Sequence, residues 1–479
     1  MLHANIIPHL KEGWASPALE KCFSLELATY LILFTLILWL IRAVYLLYFH
    51  PLASFDGPYK AVLSTWWQYP LSKSGKIEEA FEQLHQKYNT RVLRIGPNEL
   101  HITDPTLYHT IYSQRYTFRK QKSFYDSFNT PHSVFVEDDR DLHRVRRKLL
   151  SNFFSKTSVR AMNQTLITKA NMMCDRMSEM KGDGAINLYH AFRCLTIDFI
   201  TEVAFGESFN LLTKAEDNTF NAPFIECFDL AAESLWDLLY FPLIRTIINK
   251  CPPTVAAKLS QPAAKFQGLI CAVAGTVANF RRLKSSGKNL DREIVFDSMQ
   301  YLDDDLVLAE ATDILVAGSD TTASTLAVAI YEMIENPTIF EHLRKELKDA
   351  GFVTKQDFEL IRLEQLPYLT ACVKEALRYA MAVPGRLPRI VPDGIKPLIV
   401  DEKVIPAGAV IGMSAYTMHF DEGIWGEDAR RFNPARWLND DAKELERYLV
   451  TFSKGARQCW STDSALHLIK NSRSQMLSL

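Results

Sequence analysis

None of the eight cysteines in this 479-residue chain stands in a C-x-x-C pair. They are scattered at 22, 174, 194, 227, 251, 271, 372 and 459, which excludes a disulfide framework and a structural zinc site. Reduced thiols are expected, each of interest only singly. Charge of one sign is missing as well: Lys+Arg 54 against Asp+Glu 56 leaves a net charge of −2. That balance gives no electrostatic footprint for a nucleic acid. Neither internal repeats nor low-complexity tracts occur. With 48% hydrophobic residues the chain has enough apolar material for a large core.

The long apolar run sits near the N-terminus. Residues 27–49, "LATYLILFTLILWLIRAVYLLYF", carry Arg42 as their single charge. That length suits a helix crossing a hydrocarbon core of roughly 30 Å. A signal peptide would have a shorter apolar stretch and a small-residue cleavage site. Trp39, Tyr45, Tyr48 and Phe49 cluster toward one end, as interfacial anchors do. Basic residues Arg42, Lys60, Lys73 and Lys76 follow the span, so the charge bias puts the large C-terminal part in the cytosol. The expected layout is a short segment 1–26, an anchor helix 27–49, a Pro/Gly linker 50–58 and one domain over 59–479. With that orientation the glycosylation sequon at Asn163 is idle.

Helical periodicity dominates after the linker. Residues 75–88 read as an amphipathic helix, and 91–103 as a β-hairpin turning at Gly96-Pro97. A polar, aromatic-rich loop is expected over 113–139, then helices through most of 140–380, with breaks near 181–184, 252–253 and 285–287. Short strands follow between 384 and 411, and the chain looks irregular beyond Asp421. The fold class is therefore mainly α with small β-sheets.

Three stretches carry chemistry. "LVAGSDTTAST" (315–325) lies in an apolar helix expected from Asp305 to Asn336, with Pro337 ending it. A mid-helix Gly318 costs about 1 kcal/mol relative to Ala, and a buried carboxylate and hydroxyls cost more unless partnered. Either the hydroxyls back-bond to carbonyls while Asp320 meets a basic neighbour, or the helix opens around a bulky group and Asp320 and Thr321 relay protons. The second stretch is Glu375-Ala-Leu-Arg378. Its i, i+3 spacing allows a salt bridge, but E-x-x-R occurs six times here and is weak alone. Its apolar helix sets this copy apart, because a buried pair needs further partners. Arg436 in "RFNPARW" is the candidate third member. The last stretch is "FSKGARQC" (452–459). Gly455 permits close backbone approach, Arg457 supplies charge to hold a thiolate, and Phe452 would shield the Cys459 sulfur. A buried structural cysteine is the commoner alternative.

Taken in order, A-G-x-D-T-T (317–322), E-x-x-R 53 residues later, F-x-P-x-R-W (432–437) and F-x-x-G-x-R-x-C (452–459) resemble the cytochrome P-450 family of haem-thiolate monooxygenases. The likeness is to its membrane-anchored eukaryotic, fungal form and runs from the anchor through Cys459. It implies haem b with iron held by the Cys459 thiolate, O2 as co-substrate, and electrons from NADPH through a flavoprotein reductase. It implies Asp320 and Thr321 as the acid–alcohol pair of proton delivery. Ala317 and Gly318 would let their helix lie against the haem. Glu375, Arg378 and Arg436 would form the structural triad. Arg147, Arg389 and Arg457 would bind propionates, with His143 standing where the family usually has tryptophan. It further implies an endoplasmic reticulum membrane protein facing the cytosol. By the family's layout the stretches 113–135, 234–243 and 382–388 would line the pocket, and their apolar and aromatic character implies a lipophilic substrate, which the resemblance to the family makes a secondary metabolite.

After Cys459 the pattern departs. Trp460-Ser461 replaces the family's glycine two residues past the ligand, and the end 460–479 is altered or truncated. Ser461 is a possible N-cap for a following helix, and Asp463 adds negative charge near the sulfur. Two alternatives follow: a haem-dependent isomerase or dehydratase, or a membrane remnant that binds haem weakly or not at all.

Overall fold

The computed structural model describes residues 17–460 apart from 115–117, 152, 181–184, 215–219, 251, 253, 256–257, 259–260, 287–292 and 353–359. The expected break at 181–184, and Ser461 and Asp463, thus lie outside the described residues.

Helix α1 (Pro17–Val44) runs on through a π-turn at Tyr45–Phe49. Its apolar part, Leu27–Phe49, has a mean hydropathy of 2.2 and only 11% of its most apolar window buried. An apolar surface so fully exposed is fitted to lipid rather than to water. Two arginines fasten the base of this helix to the rest of the chain. Arg42 donates to the Leu63 carbonyl at 3.3 Å. Arg94, buried to 1% exposure, donates to the carbonyls of Leu46 at 3.0 Å and Pro97 at 2.6 Å.

The expected amphipathic helix is α2 (Ile77–Tyr88), followed by strands β1 (Val92–Gly96) and β2 (Glu99–Ile102). The hairpin pairs antiparallel with an irregularity between Arg94 and Gly96. The segment expected as a loop over 113–139 contains an edge strand, β3 (Arg119–Lys120), and two short helical turns at Lys122–Tyr125 and Asp126–Phe128. Two residues give too short a pattern to read as a strand; β3 exists because it pairs with a partner some 270 positions away.

The helical body consists of α3 (Arg140–Ser151), α4 (Asn163–Glu179), α5 (Leu188–Phe205), α6 (Pro223–Tyr240), α7 (Pro242–Lys250), α8 (Gln261–Ser285), α9 (Asp304–Glu335), α10 (Pro337–Asp349) and α11 (Pro367–Ala380). Pro337 both stops α9 and opens α10 at its first turn, where its missing N–H is no loss. The main core gathers α4, α5, α8, α9 and α11 through residues such as Phe192, Ile200, Leu269, Leu315, Leu326 and Val373. α5 is buried along nearly its whole length, which explains its mostly apolar sequence.

Strands β4 (Arg389–Ile390), β5 (Leu398–Val400), β6 (Lys403–Ile405) and β7 (Val410–Gly412) complete the sheets. The larger sheet has the order β1-β2-β7-β4-β3, with β2 and β7 parallel; β5 and β6 form a separate hairpin. A second core under this sheet includes Leu100, Tyr108, Tyr112 and Ile411. The motif-bearing segments come together between this sheet, α3 and α9.

Candidate active site

The cysteine loop is held by backbone contacts that only its own residues permit. Gly455 has φ +74°, and a Cβ there would stand 2.4 Å from the Tyr112 carbonyl oxygen. No side chain fits. The Cys459 N–H donates to the Phe452 carbonyl at 3.0 Å, closing the loop around a short 3₁₀ turn at Gly455–Arg457. Phe452 is half-buried against the main core, while Cys459 is exposed. Arg457 reaches across to the chain before α3, donating to the carbonyls of Glu137 at 2.5 Å, Asp138 at 3.1 Å and Asp139 at 3.3 Å. Arg147, from α3, donates to the Gln458 carbonyl at 2.6 Å and lies 5.7 Å from the Trp460 ring, which stacks on Phe154.

Behind the loop the triad is complete. Arg378 donates to both carboxylate oxygens of Glu375, at 2.9 and 2.8 Å, and both side chains are fully buried. Arg436 adds a bond to Glu375 at 3.2 Å. Such burial is tolerable only when every polar atom has partners, and here they do. The carboxylate also accepts from Trp437 Nε1 at 2.9 Å and the Asn433 N–H at 2.8 Å. The remaining Arg378 donors go to the carbonyls of His419, Ala429 and Arg431.

Sequence reasoning missed His419, the residue that joins triad to loop. Its Nδ1 pairs with the Arg378 carbonyl at 2.9 Å and its Nε2 accepts the Val450 N–H at 2.9 Å. One nitrogen donating and the other accepting is the pattern of a neutral imidazole. Burial first, and the Arg378 charge second, push its pKa down to about 3.

A second cluster surrounds His143, itself buried to 5% exposure. Burial, then Arg457, Lys120, Arg147 and Arg389 in turn, push its pKa down to about 3. Burial, then Arg389, bring Arg457 down to about 10. Lys120, another residue the sequence did not single out, is driven well below its ordinary range by burial and by Arg389 and Arg457. Arg389 alone is raised: burial acts to lower it, but the Tyr125 and Tyr112 hydroxyls more than offset that, and it donates to Tyr125 at 2.6 Å. Four basic side chains and a neutral histidine thus crowd one place, each charge there disfavouring the others. An anionic group of matching size relieves that repulsion, and haem carries two propionates.

On α9, between Leu306 and Ile330, only Val316 and Ala317 are exposed; Thr321 is partly so. The Thr321 hydroxyl donates to the Ala317 carbonyl at 2.8 Å. Gly318 departs from expectation. A Cβ there would stand 2.9 Å from Cγ1 of Ile200, so glycine serves the close packing of α9 on α5. Thr196 of α5 makes the same approach, its hydroxyl donating to the Ser319 carbonyl at 2.8 Å. Ala317, not Gly318, faces the open side. Asp320 meets a basic neighbour, Arg193, at 3.2 Å, and accepts from the Tyr189 hydroxyl at 2.6 Å. A concavity of about 770 Å³ between the segment after α5 (residues 207–211), the start of α6 and α8 contains none of these residues.

Comparison with known proteins agrees with this geometry. The family model for cytochrome P-450 matches residues 58–460. The cytochrome P-450 monooxygenase hkm5 of Aspergillus hancockii is 32% identical over 430 residues, covering 86% of this chain and 81% of its own length. The cytochrome P-450 monooxygenase tpcC of Cochliobolus heterostrophus is also 32% identical, covering 87% of this chain and 81% of its own. The cytochrome P-450 monooxygenase sol6 of Alternaria solani is 29% identical, covering 88% and 92%.

Proposed function

This chain belongs to the cytochrome P-450 family, as a fungal haem-thiolate monooxygenase, and from that premise we propose that it hydroxylates a lipophilic secondary metabolite at the membrane. O2 is split between product and water: one oxygen atom enters a substrate C–H bond, and the other leaves as water with two electrons and two protons. NADPH supplies the electrons through a flavoprotein reductase.

Haem, held by a cysteine thiolate, supplies the activation of oxygen. Everything else falls to the chain. Cys459 is the thiolate, on a loop fixed by Gly455, by Arg457 and by the His419 bridge to the triad. Arg147, Arg389, Arg457 and His143 receive the propionates, with Lys120 added to the set that the sequence suggested. The observation that carries the reading is this crowd of buried and half-buried basic side chains beside the cysteine loop. Ala317 leaves space on α9, and Asp320 with Thr321 moves protons inward. The anchor helix places the domain on the cytosolic side of the endoplasmic reticulum, where the reductase also sits. Trp460 is packed on Phe154 and Arg147, so the unusual residue after the ligand is accommodated.

The test is reductase-coupled turnover of the full chain in membranes. NADPH-dependent oxygen uptake is expected, with a product 16 mass units heavier than an accepted lipophilic compound, and Thr321→Ala should divert electrons to hydrogen peroxide. Turnover that needs no NADPH would point instead to an isomerase or dehydratase.

A further inference from the structure

The contacts of Asp320 extend past the site. Arg193 is buried to 1% exposure in the middle of α5 and touches two carboxylates on two different helices. Its Nε lies 3.2 Å from Asp320 Oδ1 on α9, and its Nη1 lies 2.7 Å from Asp229 Oδ1 on α6. Asp229 is half-exposed. The guanidinium is sandwiched between the rings of Tyr189, at 5.3 Å, and Phe228, at 5.1 Å. Tyr189, one turn before Arg193 on the same helix face, gives its hydroxyl to the same Asp320 oxygen at 2.6 Å.

Two features make this more than a structural ion pair. Thr321, the expected partner of Asp320 in proton transfer, gives its hydroxyl to the Ala317 carbonyl instead. The acid and the alcohol are therefore both engaged elsewhere in this state. A single buried cation is also divided between two anions, and Coulomb attraction in a poorly hydrated place makes its allegiance sensitive to small displacements of either. One anion rides on α6, whose C-terminal half includes much of the aromatic stretch expected to border the substrate.

We propose that Tyr189 and Arg193 are positioning residues that hold the Asp320 carboxylate back from Thr321, and that Asp229 sets the strength of that hold by competing for Arg193. Movement of α6 toward Arg193 loosens Asp320; movement away tightens it. Proton delivery is thereby tied to the position of the substrate-side helix. The proposal rests on Asp320 being the proton-moving acid.

Both claims are separable with the haem-loaded full chain and its reductase, with no organic substrate added. NADPH oxidation is measured in H2O and in D2O for Asp320→Asn, Asp229→Asn and Tyr189→Phe. Asp229→Asn leaves Arg193 to Asp320 alone, so the solvent isotope effect should rise. Tyr189→Phe releases the carboxylate, so it should fall. Opposite shifts with unchanged haem content support the hold. Shifts in the same direction, or none, while Asp320→Asn alters the effect, overturn it and leave the acid assignment standing. An unchanged effect in Asp320→Asn overturns both. A second measurement needs no turnover. The double variant Asp229→Asn/Asp320→Asn strands a buried cation, so its unfolding midpoint should drop by more than the two single shifts together; additive shifts contradict a shared Arg193.

Discussion

His419, bonded to both the triad and the chain before the cysteine loop, shows how one buried side chain ties stability to pH. Its pKa is about 3 in the fold, against an ordinary value of 6.5. A base whose pKa is lowered by folding is held neutral, so its contribution is fully present above pH 6.5. It is lost as pH falls from 6.5 toward 3, at about 1.4 kcal/mol per pH unit for one group. Urea unfolding of the full chain at several pH values should show this acid-side loss, and His419→Gln should flatten that slope while lowering stability at pH 7. Gly318 makes a second residue-level test. Alanine there gains about 1 kcal/mol of helix propensity but must displace Ile200, an overpacking cost of about 1–3 kcal/mol. A small net fall in the melting temperature is expected for Gly318→Ala. Gly455→Ala, against a rigid backbone oxygen, should do far worse and prevent haem incorporation, read as the haem-to-protein absorbance ratio.

At the scale of elements, α11 and the loop before Cys459 behave as one unit through Glu375, Arg378, Arg436 and His419. Removing one partner leaves a buried charge, which costs about 3–5 kcal/mol. Glu375→Leu and Arg378→Leu should therefore be non-additive, the double variant costing less stability than the two singles summed; additive costs would contradict the pairing. The triad was legible in the sequence because its members lie in a dense apolar helix and in a Trp-Pro motif. Helix α9 was also legible, with ends within one residue of expectation, since apolar periodicity and Pro337 are local signals. Strand β3 and the bridge through His419 were not, because each depends on partners far along the chain. Arg193 did leave a trace: the one arginine in the mostly apolar "HAFRCLTIDFITEVAF", which also carries Asp198 and Glu202, must find a partner. The sequence names no candidate among the distant acids, and only the packing of α5 against α6 and α9 selects Asp229 and Asp320.

For the whole molecule, an exposed apolar helix is joined to a body whose motif residues, from His143 to Cys459, converge from across more than 300 positions. Arg42 and Arg94 fix the base of this helix to the body, so it is not a loose leash. Deleting residues 1–49 should move the protein out of the carbonate-resistant membrane fraction while Arg94 loses its Leu46 acceptor. The packing of Gly318 on Ile200 was not legible, since it depends on which neighbour fills the space, while Cys459 lies on a loop closed by its own backbone. Everything else in the account depends on that sulfur. The most direct test is the difference spectrum of the reduced, carbon monoxide-treated full chain in membranes, beside Cys459→Ala. The red-shifted Soret band of a thiolate ligand is expected in the parent chain, and its loss in the variant. The same band surviving in Cys459→Ala, or a thiol-type band in the parent, would contradict it.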